Sequence, residues 1–261
     1  MPELPDVEVF RRYFDATALH QVVTGVEVRE PRMLKEAAPD QLSEAVTGRQ
    51  FTRSARRGKN MFVELSETAT NLLLHFGMTG QLKYFRNPEE EPGHTRVLFS
   101  FENGYHLAYD NMRMLGKVMI LADRDAYIRQ ESLGPDALDL DSETFVELMT
   151  GKRGMIKSAF MDQTLIAGLG NIYSDEVLFQ SRIHPKRSVP DLDQGELETL
   201  FHQMKEVLHT AIERQVNVAD FPAEYLIKHR DAGETCPRCG GRIEKIKVSS
   251  RSTYYCTQCQ K

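Results

Sequence analysis

Cys236-Pro237-Arg238-Cys239-Gly240-Gly241-Arg242-Ile243-Glu244-Lys245-Ile246-Lys247-Val248-Ser249-Ser250-Arg251-Ser252-Thr253-Tyr254-Tyr255-Cys256-Thr257-Gln258-Cys259 contains all four cysteines of a 261-residue chain. The C-x2-C-x16-C-x2-C spacing offers four thiolates to one tetrahedral Zn2+, and Gly240 and Gly241 ease the bend after the first pair. A pair of disulfides is the alternative. No secretory leader precedes the first expected element, and the longest apolar stretches are about five residues. A reduced, cytoplasmic protein without a membrane segment is therefore expected, with one structural zinc folding this segment. Ile243, Ile246 and Val248 against Lys245 and Lys247, then Thr253, Tyr254 and Tyr255, read as two strands joined at Ser249-Ser250. From Lys228 to Lys261 there are eight Lys or Arg against three Asp or Glu, a net of +5 in a chain whose total is −5. The overall acidity argues mildly against nucleic-acid binding. Counterion release is local, however, and a basic zinc hairpin favours a phosphate partner.

Working outward, the helical periods begin at Asp141: Glu143 to Met149, Gly154 to Met161, Asn171 to Gln180 and Gly195 to Gln215. Before them, from about residue 20 to 125, short runs divided by turn residues read as strands. These are Val22–Val28, Phe51–Ser54, Asn60–Leu65, Asn71–Phe76, Arg96–Phe101, Tyr105–Tyr109 and Lys117–Leu121. One helix between Val7 and Leu19 packs on them. The length and a 41% hydrophobic content predict two domains plus the zinc module, with the boundary near Gly134-Pro135-Asp136. The class is α+β: an N-terminal β-sandwich domain at 1–130, a helical helix-two-turn-helix domain at 131–227 and a C-terminal zinc-finger β-hairpin at 228–261.

The chain opens Met1-Pro2-Glu3-Leu4-Pro5-Asp6-Val7-Glu8. A small second residue invites removal of Met1, which would leave Pro2 with a terminal secondary amine. An α-amino group ionises near 7.7–8.0, roughly, so a useful fraction is neutral at physiological pH. Such an amine attacks an aldehyde-like carbon to give an iminium, and Glu3 stands beside it to move protons. The bland reading of the same residues is a proline-stiffened leader with solvated charges. Further along, Asp162-Gln163-Thr164-Leu165-Ile166-Ala167-Gly168-Leu169-Gly170-Asn171 closes one helix and opens another. The opening predicts an anion site, where helix amides and the Asn171 side chain meet a phosphate.

Pro2-Glu3-Leu4-Pro5, Arg57-Gly58-Lys59, His75-Phe76-Gly77-Met78-Thr79-Gly80, the segment from Gln163 to Glu176, and Arg251-Ser252-Thr253-Tyr254-Tyr255-Cys256 with Cys259 occur in one order across the chain. Together they resemble the formamidopyrimidine-DNA glycosylase and endonuclease VIII family, and the formamidopyrimidine branch more closely. The resemblance implies a bifunctional glycosylase and abasic-site lyase for oxidised bases, acting as a monomer on double-stranded DNA held in a cleft between two halves. It assigns the nucleophile to Pro2, the acid/base to Glu3 and an assisting cation to Lys59. It assigns phosphate contacts to Lys59, His75, Asn171 and Arg251, and zinc ligation to Cys236, Cys239, Cys256 and Cys259. Met78, Arg113 and Leu115 match the residues that fill the gap left by a flipped base.

The sequence departs from that pattern in three places. Asp110-Asn111-Met112-Arg113-Met114-Leu115-Gly116 lacks the family's usual proline and phenylalanine, so Leu115 stands where an aromatic wedge is expected. Asp6 replaces a glutamate. The long loop over the extruded base is reduced to Glu213–Pro222, roughly ten residues shorter, which puts base selectivity in doubt. Two other readings stay open: a damaged-DNA-binding protein of the same fold without catalysis, and an RNA-associated zinc protein.

Overall fold

The computed structural model describes residues 2–261; Met1, whose removal the sequence predicts, lies outside them. The chain divides into two compact units, Pro2 with Asp6–Glu131 and Glu3–Pro5 with Ser132–Lys261.

Helix α1 (Leu4–Thr17) opens the chain. It starts three residues before the expected Val7, because Pro5 falls in the first turn, where its missing N–H leaves no bond unmade. Nine strands follow among the described residues. They are β1 (Val23–Val28), β2 (Leu34–Lys35), β3 (Phe51–Arg57), β4 (Asn60–Leu65), β5 (Asn71–His75), β6 (Gly80–Phe85), β7 (Thr95–Phe101), β8 (His106–Asn111) and β9 (Lys117–Leu121), with α2 (Pro39–Val46) and α3 (Arg124–Gln130) between and after them. One antiparallel sheet has the order β1-β7-β8-β6. The other runs β2-β9-β5-β4-β3, with β2 and β9 parallel. The two sheets and α1 share a core. The Phe51 ring lies 5.8 and 6.0 Å from Phe99 and Phe101 of the opposite sheet, and Phe14 of α1 lies 5.2 Å from Phe51. This is the expected β-sandwich. Strand β6 and helix α2 were not expected. Yet β6 alternates exposed Gln81 and Lys83 with buried Leu82 and Phe85, and α2 has Pro39 at its first position and buries Leu42 and Val46 one turn apart.

The second unit consists of α4 (Ser142–Thr150), α5 (Ile156–Met161), α6 (Asn171–Gln180), α7 (Gln194–Glu213) and the hairpin β10 (Ile243–Val248) and β11 (Arg251–Cys256). Asp193 and Glu196 form a capping box at the start of α7. From there Leu197, Leu200, Phe201, Met204, Val207, Leu208 and Ala211 are buried at helical spacing, in one core with Phe145, Phe160 and Leu4. The hairpin turns at Ser249-Ser250, both in the left-handed region at φ 46° and 63°, as a two-residue turn between right-twisted strands requires. The segment expected to be a shortened lid is compact. It turns through Gln215 and Val216, both with positive φ, into a short 3-10 turn and buries Phe221 against Tyr225.

Helix α6 is buried from Tyr173 to Phe179, so its polar residues must find partners inside. Glu176 is 1% exposed. It accepts hydrogen bonds from Gln180 Nε2 (2.7 Å) and from the backbone N–H groups of Leu226 (3.2 Å) and Ile227 (2.7 Å). Burial outweighs these bonds and pushes its carboxyl up from 4.5 to about 7. The folded state therefore holds this proton more tightly than the unfolded chain, and stability falls as pH rises from about 4.5 to about 7. Glu176→Gln removes the titration whatever its constant cost. The stability of this variant relative to the parent, measured by urea unfolding, should rise across that window by up to about 3 kcal/mol and be flat on either side. A difference independent of pH would mean that Glu176 is ionised in the fold without penalty.

Candidate active site and nucleic-acid interface

In the second unit Glu3 is fully buried, and its carboxylate sits on the N-terminus of α6. Oε2 accepts the N–H groups of Gly170 (2.8 Å) and Tyr173 (3.2 Å), and Oε1 accepts that of Ile172 (2.8 Å). The approach is so close that a Cβ on Gly170 would lie 2.4 Å from the Glu3 Cδ. Only glycine fits. The turn before it is braced by Gln163, whose Nε2 donates to the carbonyls of Met161 and Leu169 and whose Oε1 accepts the Gly168 N–H. Leu4 N–H in turn donates to Gly168 O at 3.1 Å. The anion site expected at this helix start is thus present, but the chain's own carboxylate occupies its amides. Asn171 is the first residue of the helix and Gly170 its cap, which corrects the expectation that these amides bind a phosphate.

The Asn171 side chain is oriented from the other side. Its Oδ1 accepts from Lys157 Nζ at 2.8 Å, which leaves Nδ2 as the donor end of the amide. Lys157 is itself fully buried. It pairs with Asp175 at 2.5 Å and donates to Thr253 Oγ1 at 2.7 Å. The second oxygen of Asp175 holds Arg230 at 2.7 and 3.1 Å and accepts the Tyr254 N–H at 3.2 Å. The Arg230 guanidinium lies 4.8 Å from the Tyr254 ring centroid. Burial moves the Lys157 pKa down and the Asp175 pKa up, while their mutual attraction opposes both shifts. This network ties β11, whose first residue is the exposed Arg251, to α5 and α6. Sequence reasoning passed over Lys157, Asp175 and Arg230. The available signal was a lysine on the apolar face of α5, between buried Ile156 and Phe160.

In the first unit Pro2 is half-buried ahead of α1, and Lys59 stands in the β3–β4 turn after Gly58 (φ 57°). His75, at the end of β5, pairs across the sheet with Asn60 and Lys117. Burial, then the charges of Lys117 and Lys59, depress its pKa to about 4. The ring is neutral at physiological pH. Its Nδ1 accepts the Gly77 N–H at 3.3 Å, so Nε2 carries the proton and His75 offers a neutral donor where the sequence reading left its charge unspecified. The loop with Met112, Arg113 and Leu115 packs on the loop with Met78. Arg113 N–H donates to Thr79 Oγ1 at 3.0 Å, Arg96 Nε donates to Asn111 O at 3.0 Å, and a Cβ on Gly77 (φ 60°) would meet the Leu115 carbonyl carbon at 2.3 Å. Leu115 and Met112 are 53% and 52% exposed, an apolar tip held on a hydrogen-bonded base.

The four cysteine sulfurs lie within 4.8 Å of one another. Cys236 and Cys259 are 3.8 Å apart and Cys239 and Cys256 3.5 Å. A tetrahedron with Zn–S bonds of about 2.3 Å has sulfurs about 3.8 Å apart, whereas a disulfide needs about 2.05 Å. The donors therefore fit one structural zinc. Backbone N–H groups of Gly241 and Cys259 point at Cys239 Sγ (3.3 Å) and Cys256 Sγ (3.4 Å), as suits thiolate ligands. Removal of zinc by a chelator should expose all four thiols to a thiol reagent and abolish amide-exchange protection from Ile243 to Cys256, while α7 stays protected. Retained hairpin protection in the stripped protein would show that packing alone folds it.

Residues 1–118 match the formamidopyrimidine-DNA glycosylase N-terminal domain, 133–221 the helix-two-turn-helix domain of the same enzymes, and 233–261 the zinc finger found in FPG and IleRS. Among curated proteins, formamidopyrimidine-DNA glycosylase of Pelotomaculum thermopropionicum is 36% identical over 275 residues, covering 100% of this chain and 99% of that protein. The Streptococcus pyogenes serotype M6 protein of the same name is 32% identical over 277 residues, with the same coverage. Among solved structures, the Lactococcus lactis formamidopyrimidine-DNA glycosylase bound non-covalently to DNA containing an abasic site superposes with a TM-score of 0.89 at 29% identity, covering 100% of both chains. The wild-type L. lactis protein complexed with DNA containing N7-benzyl-Fapy-dG gives 0.88 at 29% identity, again over both whole chains. With three consecutive domain matches and full-length relatives above 30% identity, the chain belongs to the formamidopyrimidine-DNA glycosylase family.

Proposed function

We propose that this chain is a base-excision-repair DNA glycosylase that also cleaves the abasic site it creates, with the Pro2 amine as nucleophile and Glu3 as acid/base. The observation that carries this reading is the seat of Glu3: a fully buried carboxylate on three helix amides, beside a residue whose backbone nitrogen becomes a secondary amine once Met1 is removed. The amine adds to C1′ of a flipped nucleotide and the base leaves with its bonding electrons and a proton. The sugar ring then opens at C1′–O4′, and Glu3 delivers the proton that O4′ takes. The resulting iminium accepts the electron pair released when a C2′ proton is lost, so the 3′-phosphate departs. Loss of a second proton expels the 5′-phosphate, and water frees the sugar remnant. Lys59, His75, Asn171 and Arg251 position phosphates, and none of them reads a base. Met78, Arg113 and Leu115 fill the vacated stack. The partner is damaged or abasic duplex DNA, in keeping with the abasic-site DNA and the N7-benzyl-Fapy-dG DNA bound by the L. lactis relatives.

Borohydride trapping on an abasic duplex tests the reading, because only an amine on a sugar aldehyde becomes covalently fixed. The parent should be trapped after losing Met1 by intact mass. Pro2→Gly should be trapped far more slowly, and Glu3→Gln should keep DNA binding while losing excision. A Met1-bearing protein at full rate would remove Pro2 from the role, and an untrapped parent that still binds abasic DNA would favour a non-catalytic binder.

The compact segment after α7 supports a second expectation. The alignment with the P. thermopropionicum relative runs over 275 positions, so that protein carries residues this 261-residue chain lacks. 8-Oxoguanine differs from guanine by little more than one carbonyl and one N–H, a difference worth about 1–3 kcal/mol per hydrogen bond to a site that closes around it. Val216, Val218 and the buried Phe221 offer little such closure. Ring-opened purines, oxidised pyrimidines and abasic sites should therefore be processed faster than 8-oxoguanine in single-turnover assays. Fastest turnover of 8-oxoguanine opposite cytosine would place recognition on another surface.

A further inference from the structure

Glu8, on the second turn of α1, is buried and accepts from three arginines. Arg11 reaches it with Nε (3.0 Å) and NH2 (2.8 Å), Arg12 with Nε (3.0 Å) and Arg56 with Nε (3.3 Å). Burial alone would raise its pKa, but the hydrogen bonds and charge of Arg11, then Arg12 and Arg56, hold the carboxyl at about 2. Arg11 also joins Asp15 (2.6 Å) and Ser54 Oγ (3.3 Å) of β3, and Ser54 donates to Asp15 at 2.5 Å. These bonds stitch α1 to β3.

Arg56 differs from its neighbours. Its side chain is only 7% exposed, an expensive position for a cation where an apolar side chain would pack at less cost. While Nε faces Glu8, its NH1 donates to the carbonyl of Gly58 at 3.0 Å. That carbonyl and the N–H of Lys59 belong to one rigid peptide plane, so the guanidinium fixes the plane from which Lys59 projects. One planar fork thus connects the helix that begins two residues after Pro2 with the turn that presents Lys59. A lysine ammonium can reach several acceptors but does not hold two of them at the fixed angle of a planar guanidinium.

We propose that Arg56, held by Glu8, is a positioning residue for the reaction. It sets the Lys59 turn against α1 and thereby the distance between the phosphate contact and the nucleophile. The inference rests on the roles proposed above for Pro2 and Lys59. The bonds of Arg56 to Glu8 and to the Gly58 carbonyl lie within the scaffold, so its loss should degrade alignment while leaving the encounter with DNA in place.

The test uses the full-length zinc-loaded protein in single-turnover borohydride trapping on an abasic duplex, over a range of enzyme concentrations that separates apparent affinity from maximal rate. Arg56→Met keeps the length and apolar packing of the stem. Arg56→Lys keeps the charge without the fork. Both should lower the maximal trapping rate about ten- to hundredfold, as misplacement of reacting groups does, with affinity changed less than about threefold. Glu8→Gln should lower the rate in the same sense, and added to Arg56→Met it should cost nothing further. Parent-like rates in Arg56→Met, or full rescue by lysine, would overturn the proposal. So would parallel losses of affinity, rate and melting temperature, which mark a merely structural contact. Should Arg56→Met fail to fold, Glu8→Gln decides by the same rate-against-affinity split. Failure of the parent to be trapped at all would instead count against the nucleophile assignment and is read separately.

Discussion

A carboxylate seated on the first amides of a buried helix is the constraint around which the second half of this molecule is arranged. The N-terminus of α6 carries unsatisfied N–H groups and the positive end of the helix dipole, so it must be met by an anion or by water. Glu3 meets it. To admit Glu3, residue 170 must be glycine, the preceding chain must turn twice, and Gln163 must brace those turns. Leu4, the next residue, then fills a place in the helical core. Helix α6 consequently does two jobs: its first turn holds the Glu3 carboxylate, while its buried body holds the ion network that anchors the zinc hairpin.

The sequence was legible where local chemistry dictates structure. The cysteine spacing, the Ser249-Ser250 turn, the bounds of α6 and the short apolar runs of β4 and β9 depend on neighbours in the chain. What the sequence did not disclose depends on distant partners. Nothing local says that the amides of α6 meet Glu3, because the donor and acceptor are separated by most of the chain. The Lys157–Asp175–Arg230 network was equally hidden, since a lysine, an aspartate and an arginine far apart in sequence read as solvated charges until α5, α6 and β11 converge. Strand β6 was hidden for another reason. Its first residue, Gly80, closes a motif that reads as a loop, and the alternation after it is short.

Both units use the same economy at their polar positions. His75 is discharged by burial between two lysines and offers a neutral N–H. Asn171 is aimed by a buried lysine rather than by its own helix. Arg56 is spent on a carboxylate and a carbonyl. In each case a charged or polar neighbour fixes a donor's direction, which favours geometric accuracy over net stability, because buried ionic groups contribute little to folding free energy beyond offsetting their own desolvation. The exposed apolar tip at Met112 and Leu115 is the converse: side chains of little directional demand carried on a loop whose base is tightly bonded.

The bond between Glu3 and Gly170 spans 167 residues. During synthesis the strands that make the sandwich, all contained before Glu131, emerge well before α6 and can pair among themselves. Glu3 is made before the sandwich strands, yet its first donor follows 167 residues later, and closing so long a loop precedes any reward from the contact. The seat of Glu3 is therefore assembled by the last stages of folding. In a chain that stops short of α6, Glu3 is a carboxylate without the three amides that seat it.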